Sequence, residues 1–280
     1  MQCRKEEVGG KLYLAYQYSY GVIRRQNPRE RAERRKVTSE AKRKINALNR
    51  RFELMKLVSV NFTPGRDLFV ELGWDHEPDE KEDAQALKSF HRRMRRAFQK
   101  AGREYKYILV TETHKRDGSD TRLHHHVIMT GLTGRDLTLV VEAWPYGSVD
   151  VRSLRELTDN FEDTCKYLLK ERKPKNKRSY NTSSNLKRPP EPLKRRVAES
   201  ADLIVPPGVK LVNLDRRDTD CGRYQILVGK IIDQKAFDSY WDKVQKDRRR
   251  VMEQEHWAKY ARQKKRGARA PISHEMVSNI

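Results

Sequence analysis

The chain has 280 residues, 61 of them Lys or Arg and 39 Asp or Glu, which leaves a formal net charge of +22. That surplus predicts an extended acidic partner, nucleic acid ahead of a membrane surface, because no apolar run approaches the roughly 20 residues of a spanning helix. MQCRKEEVGGKLY lacks the apolar core of a secretory signal, and Cys3, Cys165 and Cys221 are too dispersed for a zinc pattern or a disulfide framework, so a cytoplasmic protein with reduced thiols is expected.

In chain order, residues 1–50 read as a basic N-terminal arm and helix. Thr38 and Ser39 can cap that helix, with Glu40 at its positive end, and Ile45, Leu48, Phe52 and Met55 recur at spacings of three and four. LVSVNFT (57–63) and DLFVELGW (67–74) read as strands broken by Pro64-Gly65. DEKEDAQALKSFHRRMRRAFQKAG has acids first and bases last, with Ala84, Leu87, Phe90, Met94 and Phe98 on one face, and predicts an amphipathic helix.

YKYILVTET (105–113) and RLHHHVIMT (122–130) form an expected hairpin about Asp117-Gly118. A helix over 133–144, a short strand in GSVDVRSL and a helix in LTDNFEDTCKYLLKERK follow. The order ββαββαβα predicts an α+β fold, an antiparallel sheet with helices packed on it and basic helical extensions at both ends. Residues 173–200 are basic and rich in Pro, Ser and Asn, and read as a linker or arm. Residues 201–280 read as a small β region and a basic C-terminal helix, and no Walker A sequence occurs.

The chemistry concentrates in RLHHHVIMT. Side chains alternate along a strand, so His124 and His126 share one face while His125 points away. Two imidazoles so placed can chelate one divalent ion. Glu112, a carboxylate in the apolar run of the partner strand, can reach the same face if the hairpin pairs about its turn. The set suits Mg²⁺ or Mn²⁺ used transiently, with open positions for water or a phosphate oxygen. Packing or surface placement would also explain an isolated HxH. In DTCKYLLKERK, Tyr167 and Lys170 are three apart on a helix. A phenol, with an ordinary pKa of about 10, attacks poorly unless a cation or metal assists it, and Lys170 is a candidate for that cation. Tyr167 as an ordinary half-buried helix residue is the alternative.

In this order, Glu112, His124 and His126, then Tyr167 and Lys170 resemble the HUH endonuclease superfamily, in particular its rolling-circle replication initiators. RRKVTSEAKRKINALNRRFELMKLVSVNF, RLHHHVIMTG, the W-x-x-G of AWPYGSV, KYLLKE and RSYNTSSNLKRPPEP extend the likeness to bacterial proteins related to the filamentous-phage replication nickase, over about residues 36–192. The resemblance implies an HUH catalytic domain over 51–172, with a metal held by Glu112, His124 and His126. It also implies a Tyr167 nucleophile assisted by Lys170, and a 5′-phosphotyrosine link to single-stranded DNA at an origin. A host helicase and polymerase would then act in a bacterial cytoplasm, and the arms at 24–50 and 172–196 would grip the DNA backbone. Two departures stand out: His125 occupies a usually apolar position, and one tyrosine stands where the phage enzymes carry two, with Tyr180 thirteen residues on. A non-catalytic basic DNA- or RNA-binding protein, or an HUH transposase of a single-stranded element, is the alternative.

Overall fold

The computed structural model describes residues 2–19, 40–114, 120–131, 137–155, 161–169, 179–198, 200–219 and 222–267. Strands β1 (Gln2–Gly9) and β2 (Leu12–Ser19) form a hairpin, followed by helix α1 (Glu40–Asn61). Next come β3 (Leu68–Gly73), α2 (Glu80–Lys100), β4 (Tyr107–His114), β5 (Asp120–Met129), α3 (Leu137–Ala143), β6 (Val149–Ser153) and α4 (Glu162–Leu168). The chain continues through β7 (Asn181–Thr182), β8 (Leu193–Val197), β9 (Val209–Thr219), β10 (Gly222–Ile231) and α5 (Gln234–Gly267). Two five-stranded sheets result, ordered β8-β1-β2-β10-β9 and β6-β3-β5-β4-β7, and every pairing within them is antiparallel. The fold is α+β, as expected.

Each sheet is covered on both faces, because its alternate residues enter different cores. Tyr13, Ala15 and Leu227 of the first sheet pack with Phe237 of α5, while Leu14, Tyr16, Ile226 and Val228 pack with Phe52, Met55 and Val58 of α1. That second cluster continues through Cys165 and Leu168 of α4 to Ile108, Val110 and Ile128 of the second sheet. On the far side, Val70, Leu109, Val127 and Met129 bury Phe90, Met94 and Phe98 of α2 and Val140 of α3. The layers therefore run α5, first sheet, α1 with α4, second sheet, α2 with α3. The buried stripe of α2 is Ala86, Phe90, Met94 and Phe98, and Ala84, expected on it, is exposed. Among the described residues no helix is long and apolar enough to cross a membrane.

Three expectations are corrected. LVSVNFT is not a strand: residues 57–61 are the end of α1. Leu54, Met55, Val58 and Phe62 are all buried at helical spacing. Placing a valine in a helix costs at most about 0.7 kcal/mol, whereas burying one apolar side chain contributes about 1.5–3 kcal/mol, so packing decides.

Residues 2–19 are not an arm but a hairpin built into the first sheet, turned at Gly10 with φ 57°, where a Cβ would strike the Ser59 carbonyl. The polar content of β1 hid it. Buried Glu6 accepts from Tyr13, Tyr240 and Arg195 at 2.7, 2.8 and 2.9 Å, and buried Arg4 donates to Gln17. Buried Glu7 pairs with Lys5 and Lys56 at 2.6 and 3.1 Å. Satisfied in this way, charged residues can occupy a central strand.

The stretch 179–198, expected as a free arm, is tied across the layers. β7 pairs with β4 and β8 with β1, while Asn61 donates to the Lys187 carbonyl and accepts from the Lys187 N–H, both at 2.8 Å. Residues 20–39 and 170–178, the more basic parts of the two expected arms, lie outside the described residues, as do Asp117-Gly118 and Cys221.

His91 of α2 lies flat on Tyr107, ring centroids 3.8 Å apart, with its Nδ1 2.9 Å from the Tyr105 hydroxyl. Burial, aided by the nearby Arg95, lowers its pKa from 6.5 to about 3. Between those values the unfolded chain binds a proton that the native protein refuses, so stability falls as pH drops from about 6.5 toward 3. His91→Phe keeps the stack and removes the titration; urea denaturation at pH 7 and pH 4 should show a smaller loss in that variant than in the parent chain.

Candidate active site

The pairing of three strands assembles the site. On the face of the second sheet that meets α4, Glu112 of β4 lies directly opposite His124 of β5, which lies opposite Gly73 of β3. The next row is Val110, His126, Glu71 and Asp150, and the one after it Ile108, Ile128, Phe69 and Arg152. Glu112 thus faces His124 across the ladder and reaches His126 diagonally, where side chains are still within contact. Its Oε2 lies 3.3 Å from His124 Nε2 and 2.9 Å from His126 Nε2, and the carboxylate is almost wholly buried.

These residues each offer one donor atom, and the three atoms lie within 4.8 Å of one another. Donors about 2.1 Å from one ion, set at right angles, are about 3 Å apart, which the two separations match. His126 adds a second fitting feature. Its Nδ1 is buried and makes no hydrogen bond, yet Glu71 Oε2 stands 3.6 Å away. A small inward shift of Glu71 would give the imidazole the carboxylate partner that metal-bound histidines ordinarily have. Burial holds the His126 pKa below its ordinary value, opposed by the hydrogen bond with Glu112 and the charge of Glu71. The neutral imidazole is the form that ligates. The donor set therefore fits a divalent ion.

His125 points the other way, fully buried behind the sheet. Its Nε2 is 2.8 Å from Asp83 Oδ1 and its Nδ1 3.0 Å from the Thr111 hydroxyl, while Trp74 Nε1 donates to the same Asp83 oxygen at 3.2 Å. The polar residue at a usually apolar position thus ties β5 to α2 and to β4. It also decides which pair of histidines can act together, since His125 is spent on the opposite face. The W-x-x-G sequence supports the same corner. Trp144 donates to the Gly73 carbonyl at 2.9 Å, and a Cβ on Gly147 would sit 2.5 Å from that oxygen.

Tyr167 of α4 sits beside the donor cluster, with its ring centroid 5.1 Å from that of His126 and 6.5 Å from that of Phe69. It is 43% exposed, so an incoming strand can reach it. The short helix is held by buried Cys165 and Leu168 on the α1 core and by Arg51 on Glu162 at 3.3 Å. It starts after Phe161, a buried non-glycine residue at φ 60°. Lys170, expected beside Tyr167, lies outside the described residues.

Arg152, which sequence reasoning missed, couples electrostatically to Tyr167 and to Glu71, with its pKa raised chiefly by its hydrogen bond to Asp150. The alternation of VDVRS puts Asp150 and Arg152 on one face, but only the β3–β6 pairing shows that this is the site's face. Tyr180 instead packs against the α1 core, and burial raises its pKa, which disfavours the phenolate a nucleophile requires. Burial likewise pushes up the Cys165 thiol, two residues before Tyr167.

Two substitutions test this arrangement. Asp83→Ala leaves His125 and Trp74 without their acceptor and should cost on the order of 3 kcal/mol in urea denaturation. Glu71→Gln should weaken Mn²⁺ binding about 10-fold or more by calorimetry, with the thermal midpoint of the metal-free protein little changed.

No curated protein and no solved structure matches the chain. A family model does, over a span that begins just before β3, runs past α4 and so contains the donor cluster, Arg152 and Tyr167. Residues 67–172 match the Replication-associated protein ORF2 family, so this part of the chain is similar to replication-associated proteins, consistent with the resemblance to rolling-circle initiators read from its motifs.

Proposed function

We propose that the protein initiates rolling-circle replication by nicking and rejoining single-stranded DNA at an origin, with Tyr167 as nucleophile and Glu112, His124 and His126 as ligands of Mg²⁺ or Mn²⁺. The observation that carries this reading is the position of Tyr167, ring to ring with His126 at 5.1 Å, at the open side of a three-donor cluster. The match of residues 67–172 to replication-associated proteins supports the role in replication.

A divalent ion at this site supplies a Lewis acid for a non-bridging oxygen of the scissile phosphate. The chain's own residues do the rest. The Tyr167 phenol loses its proton, and its oxygen forms a bond to phosphorus as the bond from phosphorus to the upstream 3′-oxygen breaks. That oxygen takes up a proton and leaves as a 3′-hydroxyl, while the downstream strand stays joined to Tyr167 through its 5′-phosphate. One phosphodiester replaces another, so the strand can be rejoined by reversal and the 3′-hydroxyl can prime a host polymerase behind a host helicase. Arg152 supplies the cationic charge beside the phenolate and the phosphate, a task to which Lys170 can also contribute. Glu71 orients His126, and the His125–Asp83 contact holds the β5 pleat against α2. With one tyrosine in place, termination calls on water or a second subunit. The net charge of +22 supplies backbone affinity that weakens steeply with salt.

The test uses 5′- and 3′-labelled oligonucleotides tiling the replicon that carries the gene. A metal-dependent covalent adduct on the downstream strand is expected, abolished in Tyr167→Phe and slowed roughly 10- to 100-fold in Arg152→Met. Absence of any adduct from protein that still binds the DNA would sink the nickase reading and leave a non-catalytic DNA-binding protein. Strand transfer confined to the hairpin ends of an integrated element would favour a transposase.

A further inference from the structure

The first sheet presents a recess that the nicking chemistry does not use. About 300 Å³ in volume, it is lined by Lys5, Tyr16, Tyr18, Asn49, Glu53 and Tyr224, at the lower end of the range of small-ligand pockets. Tyr18 and Tyr224 are direct cross-strand partners in the β2–β10 pair, half-buried, with ring centroids 6.5 Å apart and planes tilted by 36°. Lys5 Nζ lies 5.1 Å from the centre of the Tyr16 ring. Asn49 and Glu53 are one turn apart on α1, so an amide and a carboxylate reach the same opening from the opposite wall.

The charge beside the recess is basic. β8 is the edge strand, and its pairing with β1 puts Lys194 opposite Lys5 and Arg196 opposite Cys3. Since Cys3 is itself opposite Tyr18, the rows Arg196-Cys3-Tyr18-Tyr224 and Lys194-Lys5-Tyr16 run along one sheet face. Strands are about 4.8 Å apart, so the exposed bases Lys194 and Arg196 start about 10 Å from the tyrosines. That is within the reach of one nucleotide between its phosphate and its base.

We infer that this recess binds an unpaired base of single-stranded DNA, stacked against Tyr18 and Tyr224, with its edge toward Asn49 and Glu53 and its backbone over Lys194 and Arg196. Aromatic rings beside a basic track are how proteins hold single strands, because every base has a face to stack. The inference rests on the reading of the protein as acting on single-stranded DNA and deepens it. The strand would be held on the first sheet as well as at Tyr167 on the second, with α1 as the element common to both. A second anchor of this kind keeps the displaced strand unpaired beside the nick.

The experiment uses the full chain carrying Tyr167→Phe, so that binding is read apart from covalent chemistry. Single-stranded oligonucleotides with 5-iodouracil at successive positions are irradiated on the protein, and the linked residues are identified by mass spectrometry. Linkage at Tyr18 or Tyr224 is expected. Tyr18→Ala and Tyr224→Ala should each weaken equilibrium binding roughly 5- to 100-fold with an unchanged salt slope, and Tyr18→Phe should bind like the parent because it keeps the ring. Linkage confined to other residues overturns the inference, as do equal affinities of the Ala and Phe variants, or linkage with the matching RNA alone. Because the photochemical linkage needs no recess variant, an Ala variant that fails to fold leaves the test decisive. Failure of the nickase reading shows separately, as loss of the Tyr167 adduct from the parent chain while recess binding persists.

Discussion

The site depends on the pleat of β5, locked between β3 and β4. A shift of one residue in either pairing would turn His124 and His126 into the α2 core and bring His125 to the surface, since side chains alternate with a period of two. Two kinds of contact resist that slip. Val127 and Met129 on the α2 side and Ile128 on the α1 side fill different cores, so no alternative register keeps all three buried. His125 adds a directional hold, because Asp83 and Thr111 meet its two nitrogens at 2.8 and 3.0 Å on the α2 side. A buried polar contact of this sort contributes modestly when made and costs substantially when broken, which makes it a good determinant of register.

Helix α1 is the second element on which the geometry depends. It lies between the two sheets, and its apolar residues share a cluster with β2, β10, α4 and the inner face of the second sheet. α4 is only seven residues long and could not stand alone in water. Its position, and with it the position of Tyr167, is set by Cys165 and Leu168 in that cluster and by the ion pair of Glu162 with Arg51 of α1. Nucleophile and metal ligands therefore come from different layers, held in register by one helix. The first sheet braces the other side of that helix, so the polar network of Glu6, Tyr13, Tyr240 and Arg195 bears indirectly on the site by fixing β1, β8 and α5 to one another.

Much of the second sheet was legible in the residue order. The run from acids to bases in α2, the alternation around the histidines and the apolar setting of Glu112 each follow from short-range rules of dipole, pleat and desolvation. The first sheet was not legible. β1 carries Arg4, Lys5, Glu6 and Glu7 in succession, a pattern that reads as exposed, and three of the four are buried only because partners arrive from residues 13–17, 56 and 195–240. The end of α1 misread for the opposite reason. Its valines favour a strand locally, and only the presence of a core on both sides of the helix outweighs that preference.

The sequence by itself determined the chemistry: two histidines two residues apart, a carboxylate on an adjoining strand, a tyrosine on a later helix, and a strongly basic chain. These are local facts of residue type and spacing, and alternation along a strand is enough to orient them. Tertiary structure alone decided which groups meet. The opposition of Glu112 to His124, the approach of Tyr167 to His126, the arrival of Arg152 and Glu71 at the same face, and the pairing of chain-distant β1, β2, β8 and β10 into one sheet all depend on long-range pairing. Such pairing is selected by the burial of whole faces rather than by any short stretch of sequence, because register and layer order lower the free energy only when every strand is in place.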